Sequence, residues 1–146
     1  MSLTNAYETA ILELIFKNTD CANIGDATGL RGSSTAGSFY ISLHTSDPGE
    51  TGTQTTSEAA YTSYARVAVV RSGSGWTVSS GSATNAAAIT FPACTGSTAT
   101  CTYFGIGTAS SGTGTLLFSA ALSSSLSVST GITPSFAIGA LTVTAD

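Results

Sequence analysis

The single imidazole of the chain, His44, is the group best suited to proton transfer near neutral pH; Asp47 follows three positions later, with Ser42 and Ser46 on either side. A Ser–His–Asp relay can be sketched from these residues. However, positions 42, 44 and 46 alternate in step along one extended segment, Asp47 falls at or beyond its end, and no GxSxG nucleophile turn occurs. A strand-end histidine holding a structural hydrogen bond is the expectation. Asp47, Glu50 and Glu58 share one polar stretch and have the chemistry to pair for glycoside hydrolysis or to bind a divalent cation through oxygen. The stretch lacks the D-x-[DN]-x-[DN]-G spacing of a calcium loop, so a solvated acidic loop is expected. Gly105-Ile106-Gly107 and Gly112-Thr113-Gly114 complete neither GxGxxG nor GxxxxGK[ST], and no helix follows to present its N-terminus to a phosphate. They are expected to be turn or bulge glycines. No catalytic residue, cofactor or metal ligand is assigned.

Other groups suit contact or packing. Arg66 and Arg71 flank an apolar strand-like run, and Glu50 or Glu58 is in reach of Arg66 along the chain; an ordinary surface ion pair is the expectation. Trp76, between Gly75 and Thr77, has two readings, a core plug or an exposed partner contact. Phe91, Tyr103, Phe104, Phe118 and Phe136 fall in separate strands as core candidates. Cys21, Cys94 and Cys101 are odd in number and lack metal-ligand spacing. Buried thiols are expected, with a Cys94–Cys101 disulfide across a hairpin left open.

The elements that position these groups follow from composition and period. A chain of 146 residues amounts to about one domain. Charged residues make up 8%, against roughly 25% in soluble domains, and Ser, Thr, Gly and Ala take their place. From 72 to 145 there is no Asp, Glu, Lys, Arg or His. Disorder is disfavoured because β-branched and aromatic residues recur at strand spacing and Lys is scarce. The net charge is −4, and the cations Lys17, Arg31, Arg66 and Arg71 are scattered, so no basic stripe addresses nucleic acid. No apolar run reaches the ~20 residues that span a bilayer, and the N-terminus has no signal-peptide pattern; synthesis in a cytoplasm is expected.

Residues 5–17 read as one helix, with Asn5 as cap, Glu8 at the capping-box position and an apolar run from Ala10 to Phe16 that must be buried. Residues 18–37 are a polar loop. Strands are expected at 38–44, 64–71, 76–78, 86–91, 99–106, 116–121, 126–128, 135–138 and 141–144, with a second polar loop at 45–62. One helix followed by so many short strands is the pattern of a mainly β chain, an antiparallel β-sandwich or jelly roll with one N-terminal α-helix. Residues 1–37 are assigned to the helix and an extended loop arm, and 38–146 to the β-sandwich, as one structural unit.

The segments SLHTSDPGE (42–50), YARVAV (64–69), NAAAITFP (85–92), YFGIG (103–107) and FAIGALTV (136–143) together resemble a family of small tailed-bacteriophage structural proteins. Its members are often labelled tail fibre proteins, and some look like the jelly-roll cement proteins that decorate icosahedral heads. Here the loop at 19–37 is longer than usual for the family, and the cysteines are peculiar to this member. The resemblance implies a virion component with no catalytic residues. A cement protein is expected, one that binds the major capsid protein on the head surface and associates with copies of itself as a dimer or trimer. Partner contacts are expected at Ile11, Leu14 and Ile15 of the helix and at Trp76, Arg66 and Glu50. The alternative is a tail or fibre module that attaches to host glycan through Trp76, Tyr61 or Tyr64.

Overall fold

A computed structural model describes residues 3–22, 24–25, 29–30 and 32–145, so Arg31 and part of the polar loop at 18–37 lie outside the described residues. The described chain forms α1 (Asn5–Leu12), a π-helical segment (Glu13–Lys17) and nine strands: β1 (Ser38–His44), β2 (Val67–Val70), β3 (Trp76–Ser79), β4 (Ser82–Asn85), β5 (Ile89–Thr90), β6 (Ala99–Gly107), β7 (Leu116–Val128), β8 (Ser135–Phe136) and β9 (Thr142–Thr144). It is a mainly β protein with antiparallel pairing and, among the described residues, one N-terminal helix, consistent with a β-sandwich. Two compact units divide it. One takes the chain up to Ser38, then Val70–Ile89 and everything from Phe136; the other takes Phe39–Val69 and Thr90–Ser135.

In the first unit, β3, β4 and β9 form an antiparallel sheet on which α1 and the π-helical segment pack. β3 and β4 are joined by Ser80 and Gly81, both at positive φ (49° and 71°), the mark of a type I′ hairpin turn. The expected strands include β3 but not β4, which reads SATN and whose only apolar side chain is Ala83. Leu12, Phe16, Cys21, Trp76, Ala83, Ile89 and Leu141 are buried. The helix begins at Asn5, the expected cap, so its N-cap lies one residue earlier. Thr4 is the N-cap, makes no side-chain cap bond, and offers its carbonyl to the Tyr7 and Glu8 amides. After Leu12 the coil widens to π geometry and stops at Asn18, whose φ of 58° is left-handed. The Asn18 side chain bonds the Ser33 amide and carbonyl, and Cys21 and Leu30 exchange backbone bonds, so the described ends of the polar loop are tied together.

The second unit is built on a four-stranded sheet in the order β2-β1-β6-β7. β1 pairs antiparallel with β6 from Tyr40↔Gly107 to His44↔Tyr103. Alternation in β1 buries Phe39, Ile41 and Leu43 on one face, while Ser42 and His44 on the other face are also buried. β7 was expected as two strands. It is one, with its register on β6 shifted between Ala121 and Leu126, where the sequence turns from LFSAA to a serine run.

Candidate functional site

Ser42 and His44 sit two residues apart on β1, so their side chains share a face and meet: Ser42 Oγ lies 2.8 Å from His44 Nε2. His44 Nδ1 lies 2.8 Å from the Thr56 carbonyl, which can only accept, so Nδ1 carries the proton and Ser42 donates to Nε2. Burial holds the imidazole pKa below its ordinary 6.5, and the nearby Arg66 charge adds to this against the Thr56 bond and Glu58. Both side chains have no exposed surface. Asp47 takes no part: its carboxylate accepts from the Gly49 amide in the turn beyond the strand. His44 thus ends its strand buried and hydrogen-bonded through both ring nitrogens.

Beside it, Glu58 and Arg66 form a bidentate pair, with Arg66 Nε 2.6 Å from Oε1 and Nη2 2.7 Å from Oε2. The remaining guanidinium donors reach the Ala109 and Gly112 carbonyls at 2.8 Å each. Tyr64 donates its hydroxyl to Glu58 and accepts from the Leu43 amide; burial first, then the carboxylate, raises its pKa far above the ordinary value of 10. The expected surface ion pair is therefore a buried network, with the two side chains only 2% and 16% exposed. It binds the polar stretch at 45–62, the entry to β2 and the loop between β6 and β7. Tyr61 packs edge-on against Tyr64 and donates to the Pro92 carbonyl, and desolvation pushes its pKa up to about 12.

The glycines of β6 serve this network. A Cβ on Gly105 would come within 2.7 Å of His44 Nε2, Ser42 Oγ and Leu116 Cδ1, so Gly105 is a point of close approach in a regular strand and not the expected turn or bulge. Gly107 stands at a register shift and Gly114 at positive φ, as expected, and a Cβ on either would collide with Gln54. Gln54 is fully buried, accepts from the Ala109 amide and leaves Nε2 without a partner among the described residues. Nothing in the sequence signals Gln54, because a lone amide in a polar loop has no periodicity.

Two open clefts lie in this unit. One, of about 420 Å³, is lined by Asp47, Glu50, Tyr103 and residues 116–119; the other, of about 240 Å³, lies over Glu58, Tyr64, Arg66 and residues 110–112. Glu50 is exposed at the first. Among the described residues no group of three or more His, Cys, Asp or Glu converges as a metal site.

In the first unit, Trp76 is the core plug of the two readings. Its ring has no exposed surface and meets Phe16 edge-on at 4.6 Å, so it cannot serve as an outward contact. Ile11, Leu14 and Ile15 are half-buried beside the buried Leu12 and Phe16. Arg71 donates to the Ile15, Leu14 and Ala36 carbonyls at 2.6, 2.9 and 3.1 Å, which places a cation at the C-terminal end of the helical segment and ties it to the chain before β1. Asn85, also unforeseen, is buried with all its side-chain polar atoms engaged: Nδ2 donates to the Ala87 and Ala137 carbonyls and Oδ1 accepts from the Leu141 amide. The three cysteines are buried and unbridged, and the Cys94 thiol points at the Gly96 and Ser97 carbonyls of its own turn.

A family model described as Gp80, podophage GP4 fiber I protein gp80, matches residues 2–144. No curated protein matches the chain.

Proposed function

The chain belongs to this podophage fibre-protein family, a family of phage structural proteins, and from that premise we propose that it is a non-enzymatic component of the fibre apparatus, acting through protein surfaces and not through bound-ligand chemistry. The match over nearly the whole chain carries the proposal. Two structural observations support it. The groups best suited to acid–base work, His44, Glu58 and Arg66, are held inside the second unit by bonds that tie loops to strands. Residues 72–145 contain no ionisable side chain other than Cys and Tyr, leaving hydroxyl, amide and apolar surface for contact with other virion proteins. Of the expected partner contacts, Ile11, Leu14, Ile15 and Glu50 keep accessible surface, whereas Arg66 is buried down to the floor of a cleft and Trp76 has none.

The family description favours the fibre over the head lattice. Gold-labelled antibody against the chain, applied to intact virions, is expected to mark the tail or its appendages. Label spread over the head would overturn this and favour a capsid cement protein.

A further inference from the structure

The second unit ends its sheet on an unusually bare edge. β7 is 13 residues long, pairs on one side with β6, and on its other side faces no named strand among the described residues. Eight of its residues are exposed. Natural sheets blunt such an edge with shortness, Pro or charged side chains, because its unpaired amides and carbonyls are a template for another strand. β7 (LLFSAALSSSLSV) has no charged residue and no Pro; its register on β6 shifts twice, at Leu117 and after Ala121. Between the shifts, 118–121 run in step with 103–106 of β6 as regular strand.

We propose that this stretch is a self-association edge, at which β7 pairs antiparallel with β7 of a second copy about a two-fold axis through Ser119. The sequence itself selects the occupant and register. With Ser119 opposite its own copy, Phe118 stands opposite Ala120, a large apolar side chain against a small one, hydroxyl meets hydroxyl at the axis, and Leu117, the extra residue at the first shift, is left beside Ala121. Leu117 is 40% exposed, and Ala120 and Ala121 are exposed, so each has surface to bury. An edge strand free of ionisable groups also brings no like charges together at the pairing line, in a chain whose net charge is −4. The result is one sheet continuous through both copies.

Sedimentation of the full chain at high micromolar concentration is expected to give roughly twice the 14.5 kDa chain mass. Ala120→Lys, which sets a charge opposite Phe118, is expected to return the mass to that of one chain with the circular dichroism unchanged. Ser119→Cys is expected to form a covalent dimer under mild oxidant at least tenfold faster than Ser111→Cys, an exposed control off the edge, because only position 119 faces itself across the axis. A monomeric wild-type chain would overturn the proposal. So would a dimer indifferent to Ala120→Lys, or equal cross-linking at 119 and 111. If Ala120→Lys fails to fold, the cross-linking comparison decides alone.

Discussion

Arg66 shows how far a single side chain can fix a loop. Its guanidinium serves both carboxylate oxygens of Glu58 and two loop carbonyls while almost fully buried. Removing one partner leaves the other charge buried without compensation, which costs about 3–5 kcal/mol. Arg66→Ala is therefore expected to lower the urea midpoint by that order. Arg66→Lys should recover only part of the loss, because an ammonium cannot make the planar fork. His44 gives a different signature. Its folded pKa lies below the unfolded value of 6.5, so the unfolded chain binds the proton first as pH falls. The stability it confers is complete above 6.5 and declines below it. Thermal melts across that range should show a limb that flattens in His44→Gln, whose amide can still hydrogen-bond but does not titrate. Both residues stand out in the sequence by type alone. That Glu58 pairs with Arg66 was among the expected options; that the pair lies in the interior was not readable, because burial there is created by the loop at 108–115, far away in the chain.

At the scale of elements, what could be read depended on whether hydrophobic period and turn chemistry spoke together. β1 alternates clearly, and both β1 and β6 end within a residue of the expected bounds. β4 carries almost no apolar signal and exists because the Ser80-Gly81 turn folds SATN back onto β3 and β9 pairs with it. The turn is therefore the sensitive point. Gly81→Ala forces a Cβ into a left-handed position and should destabilise the protein by about 1 kcal/mol, whereas Ser80→Gly relieves strain and should be neutral or slightly stabilising in the same denaturation assay. The expected capping box failed for a related reason: Asn5 is already inside the helix, so its side chain is not at the N-cap position.

Across the whole molecule, the five segments that carry the family resemblance converge on the buried polar contacts. In one unit SLHTSDPGE, YARVAV and YFGIG supply Ser42, His44, Arg66 and Gly105; in the other, Asn85 of NAAAITFP clasps Ala137 and Leu141 of FAIGALTV. The recognisable parts of this sequence thus encode how its loops are tied down, which is why they pointed to a family before they pointed to a task. Since the proposed contact edge lies within the uncharged residues 72–145, self-association should be insensitive to ionic strength. Sedimentation at low and high salt is expected to give the same mass, unlike an association driven by exposed ion pairs.

The three buried thiols carry one more consequence. A phage protein is made in a reducing cell and persists in an oxidising world, and a fold that relied on bridges would have to mature between the two. Here Cys21, Cys94 and Cys101 are out of solvent, and burial raises the Cys101 thiol pKa, which keeps it in its unreactive form. The same covalent chain therefore serves before and after lysis: no oxidant has to arrive for the protein to mature, and its melting temperature should not change when dithiothreitol is added.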